Sequence, residues 1–78
     1  MAKFKICYAN ECNKERTEVF EKILQEECQS FEVVEDYKQV YISTSGTAKV
    51  AIFHNKKYIG YHYAHLVSFL QEEGLMLC

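Results

Sequence analysis

The stretch KFKICYANECNKERTEVFEKILQEECQSFEVVE, residues 3–35, decides the fold. At its start Phe4, Ile6 and Tyr8 alternate with Lys3, Lys5 and Cys7. Period-two alternation of this kind predicts a strand lying beside a core. Residues 9–12 break the pattern. Over residues 13–28 the apolar side chains recur at Val19, Phe20, Ile23, Leu24 and Cys28, while Glu18, Glu21, Lys22, Gln25 and Glu26 fall between them. That spacing predicts an amphipathic helix. Phe31–Glu35 is short and β-rich and predicts a second strand. A helix between two strands implies a parallel pair joined by a right-handed crossover.

Beyond this unit the chain is less uniform. Residues 36–47 contain Tyr37, Val40, Tyr41 and Ile42, which favour a strand, with a short helix as the rival reading. Residues 43–47 have turn chemistry. Residues 50–53 and 57–60 form two short strands around a tight turn at His54, Asn55 and Lys56, where Asn55 tolerates a positive φ. Helical spacing returns over residues 62–73 at Tyr63, Leu66, Val67 and Leu70, and Gly74 follows as the expected stop. The apolar tail Leu75-Met76-Leu77-Cys78 is expected to pack back onto the domain. The order predicts an α/β fold in one domain, residues 1–78: a mixed four-stranded sheet flanked by helices.

Composition narrows the functional classes. The 78 residues are 49% hydrophobic and carry a formal charge of −2, an ordinary globular balance. Nucleic-acid binding needs clustered cations, whereas the lysines here are interleaved with acids or confined to short pairs. No run approaches the roughly 18 apolar residues of a membrane span, and residues 1–7 lack the pattern of a secretory signal. A cytoplasmic location and a monomer are therefore expected. Cys7, Cys12, Cys28 and Cys78 show no Cys-x-x-Cys pair and read as reduced, independent thiols. Cys7 and Cys28 read as small core hydrophobes, with a resolving role for Cys7 as the alternative. Cys78 reads as an inert terminal thiol, with an intermolecular disulfide as the alternative. His62 and His65 lie three apart on the last helix without further zinc ligands at motif spacing, and read as solvated positions. Tyr58, Tyr61 and Tyr63 form either a surface patch for a partner or a cover over the hairpin.

Cys12 opens the first helix, where unpaired backbone N–H groups favour a thiolate. Lys14 adds to this effect; Glu11 and Glu15 oppose it. The segment Tyr8-Ala9-Asn10-Glu11-Cys12-Asn13-Lys14-Glu15 sits where glutaredoxins carry Tyr-x-x-x-Cys-Pro-Tyr-Cys. Further on, Ser45-Gly46-Thr47-Ala48-Lys49-Val50-Ala51-Ile52-Phe53, then Tyr58-Ile59-Gly60, then Gln71-Glu72-Glu73-Gly74-Leu75 are similar to that family's second half. Over nearly its whole length the chain resembles a glutaredoxin, which implies a thioredoxin-like fold. It departs from the family pattern at marked places. Glu15 replaces the second cysteine, Val50 stands where the cis-proline belongs, and the chain has no proline at all. The Lys49–Val50 bond is accordingly expected to be trans. The glycine pair is reduced to Gly60-Tyr61, no acid follows among His62, Tyr63 and Ala64, and Ala9 replaces the usual lysine.

The resemblance implies a one-cysteine thiol–disulfide oxidoreductase that uses Cys12 as its catalytic thiol on protein–glutathione mixed disulfides. Tyr8, Lys14, Glu15, Lys49, Val50, Gly60 and Tyr61 would face glutathione or substrate by family position. Glutathione is the cofactor implied, and no metal is expected. The alternative is a redox-inactive thioredoxin-fold module that binds protein.

Overall fold

A computed structural model describes residues 3–76. Strand β1 (Phe4–Tyr8) lies inside a four-stranded mixed sheet of order β2-β1-β3-β4, with β2 at Phe31–Glu35, β3 at Val50–His54 and β4 at Lys57–Gly60. β1 and β2 are parallel, while β1–β3 and β3–β4 are antiparallel. Three α-helices complete the described residues: α1 (Glu18–Glu26), α2 (Tyr37–Thr44) and α3 (Tyr63–Glu72). The molecule is thus α/β, as its alternating periodicities predict.

The alternation along β1 divides the interior into two layers. Phe4, Ile6 and Tyr8 join Val50 and Ile52 of β3 and pack against Phe20 and Leu24 of α1 and Leu66 and Leu70 of α3. Cys7 and Ala9 point the other way and meet Ala51, Phe53 and Val40 of α2. Leu75 and Met76 pack against the first layer, as the apolar tail suggests, whereas Leu77 and Cys78 lie outside the described residues.

Several expectations need correction. The first helix begins as a 3₁₀ segment, Glu11–Thr17, and becomes α-helical only at Glu18. The hydroxyl of buried Thr17 donates to the Lys14 carbonyl at 2.7 Å, a back-bond that suits the tighter turn. The inward stripe of this helix is Thr17, Phe20, Leu24 and Glu27, so Val19 is exposed. Cys28 is not in the core. The helix stops at Glu26, and Cys28 is exposed at φ 56° beyond its end. His54 is the last residue of β3 rather than part of the turn, and its ring packs between Phe4 at 4.6 Å and Phe69 at 5.0 Å.

Residues 37–44 form a helix, the rival of the strand reading. Asp36 caps it, its side chain accepting the Gln39 backbone N–H at 3.1 Å. Ser45 and Gly46 close it with positive φ, and the Gly46 N–H returns to the Tyr41 carbonyl at 3.1 Å. The β3–β4 turn matches expectation, with Asn55 and Lys56 at φ 50° and 70°, both left-handed as a two-residue primed turn requires. α3 starts and stops close to its expected limits, and Gly74 ends it at φ 67°.

Candidate functional site

The carboxyl end of β1 gathers most of the candidate residues. Tyr8 is opposite Val50 in the β1–β3 register, and the Ala9 N–H donates to the Lys49 carbonyl at 2.9 Å. The chain leaving β1 is thereby tied to the chain entering β3. Asn10 is extended and holds the position before the 3₁₀ segment without a side-chain cap; its carbonyl accepts the Asn13 N–H at 2.8 Å. Cys12 follows with its side chain exposed, and its Sγ donates to Asn10 Oδ1 at 2.7 Å. The thiol is therefore accessible and already oriented by a neighbouring amide. Asn13, behind it, is buried, and its Oδ1 has no hydrogen-bond partner.

The remaining candidates divide into exposed and buried groups. Lys14, Glu15 and Lys49 are exposed around the loop. Tyr8 and Val50 belong to the α1–α3 layer and contribute packing rather than open surface. Among the described residues no peptide bond is cis, so Lys49–Val50 is trans as expected without proline. Gly60 is buried at φ 155°, opposite Ile52, and Tyr61 follows it with its ring edge-on to His65 at 4.9 Å. Both therefore lie at the same end of the sheet as Cys12. A small cavity of about 100 Å³ opens beside the Ala9–Lys49 bridge, lined by these two residues with Tyr37, Tyr41 and Gly46.

His62 and His65 serve the backbone. His62 caps α3, its Nδ1 accepting the Ala64 N–H at 3.1 Å. His65 Nδ1 lies 3.2 and 3.3 Å from the N–H groups of Tyr61 and His62. Among the described residues no group of His, Cys, Asp or Glu is placed to hold a metal ion. Tyr58 packs on Phe53 with ring centroids 5.6 Å apart, while Tyr61 and Tyr63 are exposed.

Among the described residues Cys7, Cys12 and Cys28 are all free thiols. Cys28 precedes β2, which runs parallel to β1, so it sits at the opposite end of the sheet. Cys7 is fully buried, and burial pushes its thiol from 9.0 to about 11, with the Lys5 charge opposing in part. The folded state thus holds this proton more tightly than the unfolded chain. The associated stability is fully present below about pH 9 and is lost as pH rises through about 11. Alkaline unfolding of wild type should show a loss in that window that Cys7→Ala lacks, on the order of 2 kcal/mol. Circular dichroism at stepped pH checks it; coincident profiles for the two proteins would refute it.

Asn10 and Asn13 are the site residues that sequence reasoning passed over. Asparagine is a preferred residue before a helix, but the Asn10 amide takes the Cys12 thiol instead of a backbone N–H, which the sequence does not show, and the burial of Asn13 carried no signal. Compared with known protein families, curated proteins and solved structures, the chain gives no match.

Proposed function

We propose that this chain is a glutaredoxin-like thiol–disulfide oxidoreductase of the one-cysteine kind, on a thioredoxin-like fold, acting on glutathione mixed disulfides through Cys12. The observation that supports it most is the exposed Cys12 sulfur in the loop leaving the carboxyl end of β1. Ligands of open α/β sheets gather outside the carboxyl ends of such strands. The sheet order β2-β1-β3-β4, with α1 and α3 on one face and α2 on the other, accords with the resemblance in the sequence.

The Cys12 thiolate attacks the glutathionyl sulfur of a protein–glutathione disulfide. A new S–S bond forms to Cys12, the old one breaks, and the protein thiolate leaves and takes a proton from water. A second glutathione thiolate then attacks the Cys12 adduct, releasing oxidised glutathione and restoring the thiolate. Glu15 in place of a second cysteine makes this external resolution necessary. Lys14 and Lys49 offer cations for the glutathione carboxylates, whereas His62, Tyr63 and Ala64 supply no carboxylate for its amino group. Binding is accordingly expected to be weak. A reducing, cytoplasmic setting would supply the glutathione.

The test is reduction of a glutathionylated peptide by wild type and Cys12→Ser with glutathione and a recycling reductase. Wild type should turn over and Cys12→Ser should fall to the uncatalysed background. Equal background rates for both would remove the enzymatic reading. A redox-inactive protein-binding module would then be preferred, supported by Tyr37 and Tyr41, which are exposed and stacked at 6.1 Å on α2.

A further inference from the structure

The short α2 covers only part of its face of the sheet. Val40 lies over Cys7, Ala9, Ala51 and Phe53, but towards the amino end of β1 the sheet is open. A cavity of about 560 Å³ occupies that space, within the range typical of small-molecule sites. Lys5, Glu32 and Phe53 are neighbours across three adjacent strands and line it, and Lys3, Lys56 and Gln39 stand around them. It is remote from Cys12, since Lys5 and Tyr8 are already about 10 Å apart along β1 and the thiol loop lies beyond Tyr8.

The charges do not cancel. Three lysines and one glutamate line the cavity, and none of Lys3, Lys5 and Lys56 forms an ion pair with a described residue. Lys5 is half-buried, so its charge is less screened than that of a free surface lysine. No arginine lines the cavity; its lysines act as point charges, the mode in which lysine holds phosphate, and three of them suit the multiple charge of a phosphate monoester better than a single carboxylate. The lysine stems and the Phe53 edge supply apolar wall.

From this juxtaposition we infer that the open half of the α2 face binds a small organic phosphate, its phosphoryl group held by Lys3, Lys5 and Lys56 and its body laid towards Phe53 and Gln39. The phosphoryl oxygens accept from the three ammonium groups. Glu32 and Gln39 take hydroxyl or amino groups on the body. The site is independent of the Cys12 chemistry, so each survives failure of the other.

Adenosine monophosphate serves as the probe, with adenosine and inorganic phosphate as partial ligands, followed by calorimetry and by amide chemical shifts at low salt. The phosphate ester should bind roughly tenfold or more tightly than either partial ligand, with shifts centred on Lys5, Glu32, Gln39 and Asn55. Lys5→Gln should weaken it by roughly tenfold, the typical effect of losing one charge-assisted hydrogen bond. Lys56→Asn, on an exposed turn at a positive φ that asparagine tolerates, should weaken it without disturbing the fold. Three results would each overturn the inference: no binding up to about 10 mM, equal affinity for inorganic phosphate, or unchanged affinity in both folded variants.

Discussion

Gly60→Ala is expected to destabilise the fold by about 3–5 kcal/mol, enough to unfold much of the population at physiological temperature. A Cβ at this position would lie 2.3 Å from the Cβ of His65 and 2.6 Å from its Nδ1, closer than real atoms approach. The φ of 155° adds backbone strain for any L side chain. Relief requires α3 to move away from β4, and the His65 contacts to the Tyr61 and His62 N–H groups are lost with it. A domain of this length has roughly 4–12 kcal/mol of stability in total. The melting temperature should fall by roughly 12–40 °C, at about 4–8 °C per kcal/mol. Gly74→Ala is the matched control: φ is 67°, but nothing lies within 4 Å of the added Cβ, so the cost is only about 1 kcal/mol. Adding His65→Ala to Gly60→Ala should not rescue it, because the nearest atom is the Cβ itself. Thermal melts of the four proteins check this, and equal losses at the two glycines would contradict it.

Ile52→Ala should cost about 2–5 kcal/mol. Ile52 is fully buried on β3, opposite Ile6 on one side and Gly60 on the other. Truncation there leaves a cavity between two strands that α1 and α3 press upon, and the sheet backbone cannot collapse to fill it. Ile52→Val should cost only about 0.5–1.5 kcal/mol. Ile42→Ala removes the same side chain from a position 72% exposed and should change stability by less than about 0.5 kcal/mol. Urea titration separates these outcomes; a small loss for Ile52→Ala would show that the two-layer core is not the source of stability.

The strands were legible because their side chains alternate between layers, one face to α1 and α3 and the other to α2. The β3–β4 turn was legible because Asn55 suits its left-handed backbone. Residues 37–44 were not. Tyr37, Val40, Tyr41 and Ile42 have strand-forming side chains, yet three of the four are exposed and contribute little to the choice. The cap on Gln39 from Asp36 outweighs them, and the spacing Asp36-x-x-Gln39 was a readable start signal. Cys28 was misplaced because the helix ends before it, so Glu27 takes the last inward position. At the candidate site, the position of Cys12 followed from where alternation stops. The orientation of its sulfur depends on Asn10, two residues away through a backbone bend that periodicity does not encode.

The sheet order has a consequence for how the chain folds. β1 is central, but its β3 partner arrives late: Tyr8 waits for Val50 and Phe4 for His54. Contacts this distant in sequence slow the search, since loop closure is opposed by entropy before pairing rewards it. During synthesis the first strand emerges with only β2 within early reach. Until Val50–His54 pairs, the antiparallel side of β1 has no partner, and Phe4, Ile6 and Tyr8 lack the Val50 and Ile52 contacts that complete their burial beside α1.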